Sequence, residues 1–298
     1  MRLYIGTLHS NENEFAECVA AIKRQTHSNF EHFVFSGLGN VEAHAALYGD
    51  FLARKDEFDL LIKIDADMVL TDDNLFVKIE ERFQDKSLEM LSIDVHDWYS
   101  DRLIGGMNTY RNTIQWQGDK GAVFVDKVGR TGKKITDSEV LAPAALHCPN
   151  PSPFQAFHYG VHKAMKVIQP NRSDSERKHW HMYEHWNNLK LTEAHFQRNP
   201  DIRLALVLLG AELTYAGHFQ PEQVNYKDPV LLEKFSTYEA LDLAAVQKQI
   251  HRLRRRNWGW LPEHMRQAWF WYKFRQKRCS FHAISKLIQD SLKKNSIA

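Results

Sequence analysis

The stretch Leu60-Leu61-Ile62-Lys63-Ile64-Asp65-Ala66-Asp67-Met68-Val69 restricts what this chain can fold into more than any other. An apolar run of strand length stops in two carboxylates separated by one residue. Alternate residues of a strand point to the same face, so Asp65 and Asp67 would project to one side. A buried strand ending this way delivers two hard oxygen donors to the carboxyl edge of a sheet, where open α/β folds bind ligands. Carboxylates suit Mg²⁺ or Mn²⁺, usually held by one or two of them together with substrate phosphates. The competing local reading is a plain strand and a polar turn, with Asp67 or Thr71 capping the next helix.

The flanking sequence supplies the sheet. Arg2 to Gly6 reads as a first strand, and Ser10 or Asn11 can cap a helix through Arg24 because Phe15, Cys18, Val19 and Ile22 recur at helical spacing. Phe30 to Phe35 is a second strand, broken at Ser36-Gly37-Leu38-Gly39. A helix over Val41 to Ala53 precedes the strand with the two aspartates. Asp72 or Asp73 starts another helix through Phe83, and Leu88 to Val95 is a fourth strand. This alternation predicts an α/β fold with a Rossmann-like, mainly parallel sheet flanked by helices.

Here the residues resemble a family. Ile22-Lys23-Arg24-Gln25-Thr26-His27-Ser28-Asn29-Phe30-Glu31 is similar to the segment joining the first helix to the second strand in family 2-type glycosyltransferases of the GT-A fold, the type that builds bacterial surface polysaccharides. In that family a strand ending in D-x-D follows at about this distance, as Asp65-Ala66-Asp67 does. The resemblance covers roughly the first hundred residues. It implies a nucleotide-diphosphate sugar donor, a divalent ion (Mn²⁺ or Mg²⁺) on Asp65 and Asp67, and transfer with inversion to a hydroxyl of a glycan or lipid-linked oligosaccharide. Lys63, Asp65 and His158 are the implied donor contacts. The family often ends its second strand in an acidic residue that holds the base, whereas this chain has Ser36-Gly37. Backbone groups near Gly6, Thr7 and Ser36 are the candidates in its place. Three readings compete. Asp65-Ala66-Asp67-Met68-Val69 also fits the nucleophile motif of haloacid-dehalogenase-type phosphatases, though two strand–helix units precede it here. A nucleotidyltransferase of similar sheet would show a Gly-rich basic loop after the first strand, which Thr7 to Asn13 lacks. A non-catalytic sugar-nucleotide-binding protein could keep the fold alone.

Farther along, Trp98 to Arg111 is aromatic, polar and punctuated by Gly105-Gly106, which suits a site wall or a long loop with a hairpin. Ala122 to Val128 reads as a strand, with Gly129-Arg130-Thr131-Gly132 as a turn. Leu146 to Pro153 holds three prolines and reads as a rigid loop. Phe154 to Ala164 opens a helix on which His158 and His162 share a face, able to flank a diphosphate or hold the metal. Arg172, Arg177 and Lys178 could hold phosphate. Inverting transfer needs a carboxylate to accept the acceptor's proton. By its place relative to the family, Glu184 is the candidate, with Asp174 and Glu176 as rivals. Asp201 to Gly217 is a buried helix, and the resemblance offers His218 after it as a further metal ligand.

Composition bounds the partners. A chain of 298 residues with 43% hydrophobic content can form one sizeable domain with an appendage. The expected division is a GT-A domain over 1–222 and a basic, aromatic-rich helical region over 223–298. From His251 onward the chain nets +10, which leaves −8 for the remainder of a total of +2. An acidic body argues against nucleic acid as a partner. The tail mixes Trp258, Trp260, Trp269 and Trp271 with Arg254, Arg266, Lys273 and Arg275. That is the composition of an interfacial helix on an anionic membrane surface, or of an appendage packing its aromatics on the body or a second subunit. Met1 to Gly6 reads as a strand rather than a signal peptide, and runs such as Leu204 to Leu209 are too short to span a bilayer. Three dispersed cysteines suit a reducing compartment. The expected location is cytoplasmic, or peripheral on the cytoplasmic face of a membrane.

Overall fold

A computed structural model describes residues 1–116, 128–129, 132–168, 175–220 and 225–257, with backbone only at 128, 175–183 and 256–257. Two apolar strands, β1 (Leu3–His9) and β3 (Leu60–Lys63), are buried on both faces and pair in parallel. Their side chains alternate between two cores. Leu3, Ile5, Leu60 and Ile62 pack on one face with Cys18 and Ile22 of α1 (Phe15–Lys23) and with Phe76 and Ile79 of α3 (Leu75–Arg82). Tyr4 and Leu61 face the other side, against Leu47, Tyr48 and Phe51 of α2 (Asn40–Ala53). Each such side chain taken fully from water contributes about 1.5–3 kcal/mol.

The outer strand β2 (Phe30–Ser36) runs parallel to β1. Beyond β3 the order is β6 (Arg102–Arg111), β5 (Leu88–Asp97), β10 (Ala145–His147) and β4 (Met68–Leu70), with β9 (Lys133–Asp137) parallel to β5. A short ribbon, β7 (Gln115–Trp116) with β8 (Val128–Gly129), lies apart. The expected α/β fold is present, with its sheet made mixed by β6, which lies antiparallel to both β3 and β5. The sequence hid β6 because its outer half, with Gly105 and Gly106, lacks a two-residue apolar alternation. Part of the expected loop at Leu146 is also strand, since β10 pairs parallel to β5 and antiparallel to β4.

Helix α1 begins later than Ser10 or Asn11 would have placed it. Asn11 takes a left-handed backbone (φ 69°), and Glu14 accepts hydrogen bonds from the Asn150 N–H (3.0 Å) and the Gln155 side chain (2.8 Å). The loop is therefore tied to the chain after β10, not spent on capping.

The second half is helical: α4 (Pro153–Ile168), α5 (Ser175–Arg198), α6 (Ile202–Tyr215), α7 (Pro229–Ser236) and α8 (Leu243–Asn257). Asp201 caps α6 by accepting the Arg203 N–H. Leu231 and Phe235 of α7 and Val246, Ile250 and Leu253 of α8 join one core with α4 and α6. Arg254 pins α8 by pairing with Glu193 and, at 2.6 Å, with Glu212. Burial works to raise Glu193, but Arg254 and Lys190 outweigh it and hold the carboxyl at about 2. The division expected at 222 falls within 221–224, and Ala122 to Lys127 and the tail from Trp258 likewise lie outside the described residues. Among the described residues no helix is long and apolar enough to cross a membrane.

Candidate functional site

From β1 the sheet extends to β2 on one side and β3 on the other, so a crevice opens beyond their carboxyl ends. A cavity of about 280 Å³ occupies it. The D-x-D does not lie in a strand as expected: β3 stops at Lys63, and Asp65-Ala66-Asp67 forms the turn into β4. The Ile64 and Ala66 N–H groups bond to Gly6 and Leu8 of β1, and Met68 N–H bonds back to Asp65. Both carboxylates still line the cavity. They are not equivalent. The Lys63 ammonium grips Asp65 at 2.9 and 3.2 Å, whereas Asp67 lies deeper, with one carboxylate oxygen, Oδ1, buried without a hydrogen-bond partner among the described residues.

Two further residues crowd Asp67, and Asp97 holds one of them in place. Register places His147 of β10 beside Asp97 of β5 and Met68 of β4. The Cys148 thiol donates to Asp67 Oδ2 at 3.3 Å, and His147 Nε2 lies 3.5 Å from the same oxygen. On its other side His147 bonds through Nδ1 to Asp97 Oδ1 at 2.7 Å. Asp97 is 0% exposed, and its Oδ2 accepts from the Ser100 N–H (2.9 Å), the Ser100 hydroxyl and the Tyr159 hydroxyl (3.1 Å). Burial works to raise both aspartates, but His147 outweighs it, leaving Asp67 below the carboxylate range and Asp97 at about 2. Burial opposes charge on His147, yet Cys148, Asp67 and Asp97 lift it well above the imidazole range. Cys148 itself has a left-handed backbone (φ 50°), held by its N–H to the Asp67 carbonyl at 2.8 Å.

The facing wall is basic and aromatic. His158, His162, Lys163 and Lys166 reach the cavity from α4, with Tyr226 3.9 Å from the His158 ring. As their spacing predicts, His158 and His162 lie on one face, rings 5.8 Å apart. The Lys163 ammonium lies over Tyr159, and burial lowers its pKa against the pull of Asp97 and Glu184.

The structure brings Lys63, Asp65, Asp67 and His158 together. Gly6 and Thr7 do not line the cavity. Gly6 packs under α2, where a Cβ would lie 2.8 Å from Leu47, and Thr7 bonds His32 within the sheet. Ser36 is exposed and bonded to His9. The adjoining residues Leu8, Ser10, Leu38, Gly39 and Asn40 form the rim in their place. Glu184 is half-buried on α5, close enough to act on the Lys163 charge, and is not among the lining residues. His218 is exposed after α6 and outside the group formed by Asp67, His147 and Cys148. Arg172 and Asp174, and the side chains of Glu176, Arg177 and Lys178, lie outside the described residues.

Sequence reasoning missed His147, Cys148, Asp97 and Glu12. Glu12 follows β1 and lines the cavity, where burial and the nearby Asp67 push its carboxyl up to about 7 from a usual 4.5. An unfolded chain would ionise Glu12 first, so stability is lost as pH rises from 4.5 towards 7. Glu12→Gln should match the wild type near pH 4 and gain up to about 3 kcal/mol over it near pH 8, read from urea midpoints. A pH-independent difference would refute this role of the charge.

No protein-family model matches the chain, and no curated protein matches it. Among solved structures, a mannosyltransferase from Pyrobaculum calidifontis, determined in complex with GDP-Man and Mn²⁺, is 12% identical over 87% of this chain and 88% of its own, with a TM-score of 0.36. A197 from STIV is 16% identical with a TM-score of 0.30; the match covers 37% of this chain and 65% of that one, just under two thirds. At TM-scores this low the fold rests on its own strands and cores.

Proposed function

We propose that this chain is a metal-dependent glycosyltransferase that moves a sugar from a nucleotide-diphosphate sugar to a hydroxyl of a glycan or lipid-linked acceptor. The observation that carries the reading is the cavity itself: Asp67, with one carboxylate oxygen unsatisfied, lines it together with the histidines and lysines of α4 at a sheet switch point. An anionic diphosphate fits between a cation on one wall and fixed positive groups on the other. The orphaned Oδ1 supports a divalent ion on Asp67. When bound, that ion would offset charge on the departing nucleoside diphosphate. Lys63 keeps Asp65 oriented for the ribose or a water, and His158 and Lys163 would hold phosphate oxygens. Glu184, behind Lys163, is the candidate to take the acceptor's proton, which inversion requires. The loop after β1, Ser10 to Glu14, carries no Lys, Arg or Gly with which to cradle a triphosphate, which disfavours nucleotidyl transfer.

The apolar face of α8 is taken up by the core, so it is the composition of the tail beyond it, aromatic and basic, that fits a peripheral attachment to anionic lipid on the cytoplasmic face. Arg254 does not contribute to that attachment, being engaged with Glu193 and Glu212.

Thermal-shift and calorimetric titration with a panel of nucleotide-diphosphate sugars, with and without Mn²⁺, Mg²⁺ or Zn²⁺, tests the central claim. One donor class should bind in an ion-dependent way and slowly release nucleoside diphosphate. No response from the panel, or release of nucleoside monophosphate, would overturn it.

A further inference from the structure

The geometry points to a metal centre built from Asp67, His147 and Cys148, a carboxylate–imidazole–thiolate set of the kind that selects zinc-class ions over Mg²⁺, with Asp97 as the positioning residue. The three donor atoms stand 3.3 Å (Asp67 Oδ2 to Cys148 Sγ), 3.5 Å (Asp67 Oδ2 to His147 Nε2) and 3.7 Å (His147 Nε2 to Cys148 Sγ) apart. Bonds of about 2.0–2.3 Å at tetrahedral angles place donors roughly 3.3–3.6 Å apart. Neighbouring donors on an octahedral Mg²⁺, with bonds of about 2.1 Å, would stand roughly 3 Å apart and would be oxygens. Three protein donors at the edge of an open cavity also match zinc sites that leave a fourth position for a ligand.

The surroundings have the character of a support for ligands. Metal-bound histidines almost always donate their second ring N–H to a carboxylate or carbonyl, and His147 does so through Nδ1 to the fully buried Asp97. That bond turns Nε2 toward Asp67 and Cys148. The left-handed backbone of Cys148 is a conformation that a non-glycine residue rarely holds, and such strain gathers at functional sites. Ion binding would release two protons to solvent, one from the Cys148 thiol and one from Nε2 of His147, giving the thiolate and the neutral imidazole that coordinate. The asymmetry of the acidic pair follows: Asp67 is a ligand, while Asp65 stays with Lys63.

The inference deepens the transferase reading in concerning the same cavity, but its test reads coordination directly. The full chain, stripped with chelator and titrated with Co²⁺, should develop a near-ultraviolet thiolate-to-cobalt charge-transfer band and the strong visible bands of a tetrahedral site. Zn²⁺ should abolish them and a large excess of Mg²⁺ should not. Cys148→Ser should lose the charge-transfer band, whereas Cys18→Ser and Cys279→Ser should keep it. Asp97→Asn should weaken Co²⁺ binding by about 10–100-fold while retaining the band. Should Cys148→Ser fail to fold, alkylation of wild-type Cys148 followed by mass spectrometry, which Zn²⁺ should block, replaces it. No charge-transfer band, a band unchanged in Cys148→Ser, alkylation indifferent to Zn²⁺, or ready displacement by Mg²⁺ overturns the centre. A band without donor binding would keep the centre and sink only the transferase reading; Mg²⁺-dependent donor binding without a band would do the reverse.

Discussion

Replacing Asp67 with asparagine is expected to cut sugar transfer by at least about a hundredfold and to abolish the ion dependence of donor binding. Asparagine keeps the shape of the side chain and an oxygen to accept from Cys148. It removes the charge of a carboxylate whose Oδ1 is buried without a hydrogen-bond partner. The fold should survive, since His147 keeps its bond to Asp97 and the Cys148 N–H keeps the Asp67 carbonyl. Asp65→Asn should lose much less, because Lys63 already neutralises that carboxylate. Calorimetric donor titrations with and without added divalent ion, together with nucleoside diphosphate release, give the comparison. If Asp67→Asn retained wild-type turnover and ion dependence, the transferase assignment would fall.

Gly160→Ala is expected to destabilise the fold by about 3 kcal/mol or more, although alanine is the better helix former by about 1 kcal/mol. Helices α4 and α6 meet at two glycines. A Cβ on Gly160 would stand 1.9 Å from the Val207 carbonyl oxygen, and one on Gly210 would stand 2.4 Å from the Phe157 carbonyl oxygen. Both obstacles are backbone, so no rotamer change relieves them and the helices must part. Parting would also shift His158 and Lys163, both on α4, so donor affinity should fall with stability. Urea midpoints measure the first effect. A midpoint equal to that of the wild type would mean that the helices do not approach so closely. Gly49, on the outer side of α2 with nothing within 4 Å of its would-be Cβ, is the control, where alanine should be neutral or mildly stabilising.

Much of the α/β architecture was legible because local pattern and burial agree. The β1 and β3 strands are apolar on both faces, α1 and α3 present narrow apolar faces to them, and His158 and His162 meet at the spacing a helix dictates. The rest depends on contacts that no window of sequence contains. Asp67 and Cys148 are 81 residues apart, and His147 and Asp97 are 50 apart; each pair is joined by strand register. The three residues of β10 are too few to show a period, and the prolines after it point to a loop. The D-x-D was recognisable by composition, but which aspartate seeks an ion and which is occupied by Lys63 emerged only from side-chain geometry. Gly6 and Thr7 lie outside the cavity because the end of β1 is consumed by packing against Leu47 and His32, and Leu8 and Ser10 reach its rim instead.

The insertion of β10 between β5 and β4 also orders events during synthesis. A nascent chain that has emerged only through β6 can assemble β1, β2, β3 and the β5–β6 hairpin, yet it lacks the floor and the basic wall of the cavity. A complete cavity is therefore acquired late, after α4 has left the ribosome, although the turn with Asp65 and Asp67 is translated well before it.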